Sequence, residues 1–555
     1  MSSEFAVKSL DRPWFRAWPA HMPLHIEYPH VPAWWIMERN LDRFADKTGV
    51  IFINNEDLSE IQRLTYAELW RGANSLAAWL RELGVRKGER VAVVLPNSPA
   101  LIMSYYGIWM SGGAITPCNL MAKEKEIECQ LQDSGACLLI ADGSLAETAM
   151  PVAERLGMRT ILASTGECGK KIPGEAISFE ELIATGQEHP MDFSIDPGED
   201  MAVLLYTGGT TGTPKGAILT HRNIVANTIQ FAEWYAFEPG REISICAIPM
   251  SHSGGMSGVM NVPIYAGATL VVMKRFRPEA VALAIEKYCA TRFLGVPTMF
   301  VALLHNEEAR RCNLSTLKAC RTNAAPLLVA VKKAFDEFIG KETLIEGYGL
   351  TETSPLTHAN PIQRAKPGSI GIPLPDTDCR IVSIEGEGEL PVGSEGELLI
   401  RGPQVMKGYW NKPEATAKAM AEGWLHTGDI ARMDEEGYFY IVDRLKDMIN
   451  CGGYKVWPRE VEEVLYTHPK VRLAMVVGSP DDYYVEIAKA FVVPRDEARG
   501  DISSEEVISF CRKAMAAYKV PRLVEFVDRL PITPHGKMLR RLMREGGEKE
   551  RENHG

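Results

Sequence analysis

Four segments carry residue types that could handle a polyphosphate and a carboxylate. The first is Tyr206-Thr-Gly-Gly-Thr-Thr-Gly-Thr-Pro-Lys-Gly216, which follows a short apolar run at 202–205. Gly208, Gly209 and Gly212 let backbone N–H groups come close to an anion. Thr207, Thr210 and Thr211 add hydroxyl donors, and Lys215 supplies a charge. A polyphosphate needs this combination. The register is not that of a Walker A loop, because Lys215 lies between Pro214 and Gly216. A flexible polar turn is the plainer alternative.

The second segment is Gly347-Tyr-Gly-Leu-Thr-Glu-Thr353. It begins like a dinucleotide fingerprint, but Glu352 stands where the third glycine belongs, so a Rossmann reading fails. Gly347 and Gly349 around Tyr348 could hold a flat base. Thr351 can donate to a phosphate, and a carboxylate such as Glu352 beside phosphates makes sense mainly through Mg²⁺, a hard cation taking oxygen ligands. The third is Gly423-Trp-Leu-His-Thr-Gly-Asp429, whose aspartate could accept from two vicinal ribose hydroxyls. The fourth is Pro531-Ile-Thr-Pro-His-Gly-Lys-Met-Leu-Arg540, where Lys537 after a glycine could be a mobile charge. Taken singly, the second to fourth are also compatible with ordinary turns or a solvated face.

The elements that must position these residues are legible in the pattern. Thr65 and Glu68 form a capping box ahead of an apolar stripe at Leu69, Leu76, Leu80 and Leu83, so 65–84 reads as a helix. Short apolar runs at 90–96, 136–141, 202–205, 269–273 and 292–296 read as strands, with helical stretches such as 278–289 between them. Alternating strands and helices imply an α/β architecture with mostly parallel sheets. After about residue 375 the pattern turns to acidic turns and alternating strands, at 396–402 and 437–442. A new α+β pattern begins after Asp443-Arg-Leu-Lys-Asp447, with Pro458 opening a helix and strands at 473–477 and 490–493.

Composition bounds the answer. The 555 residues are 46% hydrophobic and 24% charged, which excludes a disordered chain, a coiled coil or a collagen-like fibre. A net charge of −11 gives no general basic footprint for nucleic acid. The 11 cysteines show no CxxC pair, which suits a reducing, cytoplasmic setting. Residues 91–122 and 243–273 contain no Asp, Glu, Lys or Arg and are long enough to span a bilayer. Pro96, Pro99, Gly112 and Gly113 in one, and Pro249, Gly254, Gly255 and Pro263 in the other, argue for buried strand–loop–helix segments instead. No transmembrane segment or signal peptide is expected. Trp14, Trp18, Trp34 and Trp35 are expected to pack an N-terminal arm, with peripheral membrane contact as the alternative.

Together and in this order, the four segments resemble the adenylate-forming superfamily of acyl-CoA synthetases, firefly luciferase and nonribosomal-peptide adenylation domains. The resemblance runs along essentially the whole chain and includes Ala324-Ala-Pro326 and Asp443-Arg-Leu-Lys446. It implies an α/β fold with a large N-terminal adenylation domain of several layered sheets and helices (1–443), a hinge (444–446) and a small α+β C-terminal lid (447–545); the charged, Gly-containing end reads as a disordered tail (546–555). It implies ATP, Mg²⁺ and coenzyme A as the groups bound, and a two-step reaction through acyl-AMP. By the same resemblance, Thr207–Lys215 cradle phosphates, with Thr207 and Glu352 toward the metal. Tyr348 and Ala324, Ala325 and Pro326 flank adenine, Asp429 binds ribose with Arg444 nearby, and Lys537 bridges carboxylate and ATP. Lys446 is the hinge, and Gly452, Gly453 and Tyr454 pass the pantetheine arm. Gly208, Asn323 and Val485 depart from the residues usual in that family.

Amino-acid activators of the superfamily carry an aspartate early in the segment written here Pro249-Met-Ser-His-Ser-Gly-Gly255, and none is present. His252 falls near the carboxylate and acyl entrance, as gate or as packing. Thr353-Ser-Pro-Leu-Thr-His-Ala-Asn-Pro361 and the N-terminal Arg12-Pro-Trp-Phe most resemble medium- and long-chain fatty-acid ligases. An aromatic or alicyclic carboxylate ligase is the alternative. A non-catalytic nucleotide-binding protein on the same fold is the alternative from another class. Either Gly254, Gly255, Met256 and Gly258 leave room for an apolar chain or the glycines pack closely. A small-molecule carboxylate, ATP and CoA are the expected partners, no nucleic acid is expected, and homodimerisation is left open.

Overall fold

The computed structural model describes residues 12–165, 176–187, 193–207, 214–384, 388–452, 454–481, 483–531, 539–540 and 542–544. The chain divides into two compact units. The first holds residues up to 208, 214–378 and 400–425; the second holds 209–213, 379–399 and 426–555.

Two large sheets organise the described residues of the first unit. One runs in the order Ile372–Pro373, Leu356–Ala359, Leu344–Gly349, Ala319–Thr322, Arg292–Gly295, Ile243–Cys246, Thr269–Met273, Thr48–Ile53 and Glu60–Thr65. Its middle is parallel, from Thr48–Ile53 through to Leu344–Gly349. The other runs in the order Gly408–Tyr409, Lys215–Thr220, Met201–Thr207, Ala114–Pro117, Arg90–Val94, Ala136–Asp142, Arg159–Ala163 and Ile177–Ser178. It is parallel except at one side, where Lys215–Thr220 runs antiparallel to both its neighbours. Parallel strands need crossovers, and helices such as Pro99–Met110 and Pro278–Tyr288 provide them, while Tyr66–Glu82 leads from one sheet to the other.

The strand and helix expectations hold closely. Thr65 accepts from the Glu68 N–H while the Glu68 side chain accepts from Thr65, so the capping box starts the helix as read. The strand Thr269–Met273 has the expected ends, and Pro278 sits in the first turn of its helix. The uncharged stretch 91–122 is a strand, the helix Pro99–Met110 and another strand; every residue of that helix is buried. The stretch 243–273 likewise begins and ends in buried strands. Among the described residues no helix is long and apolar enough to cross a membrane. Trp14 and Trp34 are buried, and Trp18 meets Trp234 edge-on at 5.6 Å, so the arm's tryptophans serve packing. The arm is also fastened by Asp376, whose carboxylate accepts from the Ile26 N–H at 3.0 Å and the Tyr28 hydroxyl at 2.9 Å.

In the second unit, residues 379–382, 396–399, 426–433 and 439–444 belong to one sheet. A second sheet runs Tyr454–Val456, Ile449–Cys451, Val485–Pro494 and Val471–Asp481, with Leu523–Phe526 parallel to Val485–Pro494. The helices Pro458–Tyr466 and Ser504–Ala514 contribute Val461, Leu465, Val507 and Cys511 to the core under that sheet.

Candidate active site

In open α/β sheets, ligands collect beyond the carboxyl ends of the parallel strands, where backbone N–H groups and loops are free to contact them. The sequence-selected segments of the first unit lie there. Thr207 ends the strand Met201–Thr207, and Pro249–Gly255 follows Ile243–Cys246. Ala324, Ala325 and Pro326 follow Ala319–Thr322, and Thr351–Thr353 follows Leu344–Gly349.

Thr207 and Lys215 face each other as the last pair of an antiparallel ladder, and the Thr207 hydroxyl donates to the Lys215 carbonyl at 3.4 Å. The residues between them, including Gly208, Gly209, Thr210, Thr211 and Gly212, lie outside the described residues. The hairpin is braced from its far side by residues 407–410. Tyr409 pairs with Ala217, Lys407 N–H donates to the Ile218 carbonyl at 3.0 Å, and Trp410 N–H donates to the Gly216 carbonyl at 2.8 Å. Tyr206 closes the near side with a 2.6 Å hydrogen bond to Asp133.

Gly349 has to be glycine. A Cβ built there would lie 1.8 Å from the Pro355 carbonyl oxygen, a backbone atom that cannot step aside. That close approach folds the chain back so that Thr351, Glu352 and Thr353 form a short helical turn. Tyr348 meets His358 edge-on at 5.9 Å. Glu352 is held twice: its carbonyl accepts from Met406 N–H at 2.8 Å, and its Oε1 accepts from the Tyr409 hydroxyl at 2.7 Å. The Tyr409 ring also lies 5.1 Å from Lys215 Nζ. Burial and the Glu352 carboxylate hold the Tyr409 phenol well above its ordinary pKa, so it stays a hydrogen-bond donor.

His252 is exposed at the start of the turn Ser253–Gly255, and its Nδ1 accepts from Gly254 N–H at 3.3 Å. Ser253 Oγ lies 3.5 Å from Thr351 Oγ1, which brings the His252 turn beside the Glu352 turn. The two readings of the glycines separate here. A Cβ at Gly255 would sit 1.9 Å from the Pro249 carbonyl oxygen, and one at Gly258 would sit 2.3 Å from Leu294 Cδ2, so both are close-packing glycines. Gly254 is different: its nearest neighbours are His252 Nδ1 at 3.7 Å and the Asn323 amide at 4.0 Å. Ala324 and Pro326 are exposed beyond that amide, and Ala324 has a left-handed φ of 72°.

In the second unit, Asp429 and Arg444 are register partners on adjacent strands, and Arg444 Nε lies 3.0 Å from Asp429 Oδ1. Asp429 is buried, a position in which a carboxylate needs such a partner. Lys446 is exposed in the short turn Leu445–Asp447 that follows. Gly452 has φ of 60° and begins the tight turn between Cys451 and Tyr454, its N–H donating to the Tyr484 carbonyl at 2.6 Å. Tyr454 stacks on Tyr518 at 4.8 Å. Val485, flagged in the sequence as a departure from glycine, has φ of 69°, a left-handed conformation that a β-branched residue adopts only under strain. Gly453 and Lys537 lie outside the described residues.

Tyr409 and Ser253 were not among the sequence candidates. Tyr409 had a weak signal, an aromatic pair after glycine in Lys407-Gly-Tyr-Trp410, but no spacing linked it to residues 57 and about 190 positions away. Among the described residues no group of three or more His, Cys, Asp or Glu side chains could hold a metal ion by itself.

The AMP-binding enzyme family matches residues 37–410, and its C-terminal domain matches residues 460–537. A long-chain-fatty-acid–CoA ligase of Bacillus subtilis (strain 168) is 40% identical over 98% of this chain and 99% of its own length. A feruloyl-CoA synthase of an Amycolatopsis species is 37% identical over 86% of this chain and 92% of its own. Among solved structures, ATP-bound MatB from Rhodopseudomonas palustris superposes with a TM-score of 0.82 at 28% identity, covering 93% of this chain and 99% of that one. Matches this long, on a fold whose Lys215 strand and Glu352 turn both meet Tyr409, make the chain a member of the AMP-binding enzyme family, an adenylate-forming acyl-CoA synthetase.

Proposed function

We propose that this chain activates a medium- or long-chain fatty acid with ATP and transfers the acyl group from the acyl-adenylate to coenzyme A. The observation that carries the reading is the gathering of Lys215, Glu352, Thr351 and Ser253 in one region of the first unit, beyond the carboxyl ends of parallel strands. Two anions repel, so cations must offset the charge that builds at the α-phosphate. Lys215 and the hairpin 207–215 supply donors to the phosphates, and Lys537 is assigned to the carboxylate and α-phosphate in the first half-reaction. The Tyr348 ring and residues 324–326 border the adenine, and Asp429, oriented by Arg444, accepts from the ribose hydroxyls.

Mg²⁺ fits the donor set. It keeps several waters and binds through one or two carboxylates plus substrate phosphates rather than in an all-protein cage. Glu352, with the Thr207 hydroxyl of the hairpin, would hold it, and it would neutralise phosphate charge when bound. Coenzyme A is assigned to the turn at Gly452, Gly453 and Tyr454, and Lys446 to a hinge that exchanges Lys537 for that turn. The same reading assigns 1–443 to the ATP and acyl half and 447–545 to a lid.

The fatty-acid assignment draws on the name of the Bacillus relative and on the absence of an acidic residue in 249–255. A second reading, an aromatic or alicyclic acid, is favoured by the feruloyl-CoA synthase likeness and by the close packing at Gly255 and Gly258, which leaves no room there. AMP release measured with octanoate, palmitate, benzoate and cyclohexanecarboxylate separates them. The proposal expects kcat/KM at least tenfold higher for one of the two fatty acids. Higher values for benzoate or cyclohexanecarboxylate would replace it with the second reading, and absence of AMP release with every acid would point to a non-catalytic nucleotide binder.

A further inference from the structure

Three separate pieces of chain converge on one phenol. The strand that carries Lys215, the turn that carries Glu352 and the strap 406–410 are contiguous only in space. The strap is stitched to the strand by its Tyr409–Ala217 pairing and by two further backbone hydrogen bonds, and to the Glu352 turn by Met406 N–H. Tyr409 therefore has a fixed backbone, and its side chain is fixed at both ends of its chemistry. The hydroxyl donates to Glu352 Oε1 at 2.7 Å, and the ring lies 5.1 Å from the Lys215 ammonium.

These contacts have different consequences. A phenol donor on one carboxylate oxygen leaves the other oxygen to face a ligand and removes the rotational freedom of a three-torsion side chain. An aromatic face under an ammonium holds the cation by its quadrupole while leaving the N–H donors directed elsewhere. One residue thus orients an acid and a base of opposite charge without neutralising either. A direct Lys215–Glu352 ion pair would instead compete with metal and phosphate for both groups.

We propose that Tyr409 is the positioning residue of the phosphate site, holding Glu352 for a hard divalent cation and Lys215 for phosphate oxygens. This rests on the reading of Glu352 and Lys215 given above. Removing the hydroxyl with Tyr409→Phe keeps the ring, the strap pairing and the ammonium contact, and frees only the carboxylate. Outer-shell partners of metal ligands typically contribute roughly 10–100-fold in metal affinity, which sets the size of the effect.

The test is isothermal titration of the full chain with ATP, in Mg²⁺ and in EDTA, on wild type, Tyr409→Phe, Glu352→Gln and the double variant. Tyr409→Phe is expected to weaken binding about 10–100-fold in Mg²⁺ and to leave binding in EDTA unchanged. In the Glu352→Gln background the same change should have no further effect, because the group it orients is gone. Tyr409→Leu, which also removes the ring, should weaken binding in EDTA as well. Unaltered Mg²⁺-dependent binding in Tyr409→Phe, or an equal further loss in the Glu352→Gln background, would overturn the proposal. A Glu352→Gln variant with normal Mg²⁺ dependence would overturn the reading beneath it.

Discussion

Acid should destabilise the first unit through two histidines that are folded in neutral. His221 opens the helix His221–Trp234, is 1% exposed, and accepts the Ala33 N–H at Nδ1 over 3.0 Å. His358 is fully buried on the strand Leu356–Ala359, within 3.0 Å of Thr357 Oγ1. Burial pushes both imidazoles from 6.5 down to about 3. The unfolded chain binds their protons below pH 6.5 and the folded chain does not, so stability falls as pH drops from 6.5 toward 3. Each site spans 6.5 − 3, about 3.5 pH units, at about 1.36 kcal/mol per unit. At pH 5 each has lost about 2 kcal/mol and the pair about 4, a large part of a typical 5–15 kcal/mol. The perturbation is His221→Asn, whose amide oxygen can still accept from Ala33 but does not titrate. The assay is urea unfolding between pH 4 and 6.5, followed by tryptophan fluorescence. Ten of the eleven tryptophans belong to the first unit, and Trp34 lies 6.0 Å edge-on from His221, so the signal reports that unit. Whatever the variant costs at neutral pH, its stability should fall with acid by about one proton less than wild type. Equal slopes for the two proteins would refute the reasoning.

Two further predictions concern the site. Lys537→Ala should slow adenylation by roughly 10²–10³ and leave thioester formation from supplied acyl-AMP nearly intact; single-turnover assays of each half-reaction check this, and equal losses would reject the assignment. Gly255→Ala should prevent stable folding, since its Cβ would overlap a backbone oxygen at 1.9 Å, whereas Gly254→Ala should fold normally and change acyl-acid preference; thermal unfolding and substrate profiles of the two variants distinguish the outcomes.

Local chemistry was legible in the sequence because it depends on neighbours along the chain. The Thr65 capping box, Pro278 in its helix's first turn and the β-branched run at 269–273 need only adjacent residues to specify them. The motif segments were legible for the same reason: glycines, hydroxyls and a lysine within eleven positions carry their chemistry wherever the fold puts them. Gly349 could be suspected from its motif, but only the Pro355 carbonyl 1.8 Å from its missing Cβ gives the reason. The uncharged stretches could be told from membrane spans by their breakers, but not which glycines packed closely, because packing depends on atoms from distant strands.

What tertiary structure alone decided is which distant residues act together. Asp429 and Arg444 were both read as ribose-site residues, yet their 3.0 Å contact follows from an antiparallel register that no local pattern encodes. The choice between the two readings of Gly254, Gly255 and Gly258 needed Pro249 and Leu294 in place. Tyr409 is the clearest case. Its hydrogen bond to Glu352 and its contact with Lys215 span 57 and 194 positions, and they exist because sheet pairing brings a short strap against the strand that carries Lys215. Residue types determined which chemistry this chain could perform, while strand order and register, set by burying the apolar faces of two sheets, determined which side chains meet to perform it.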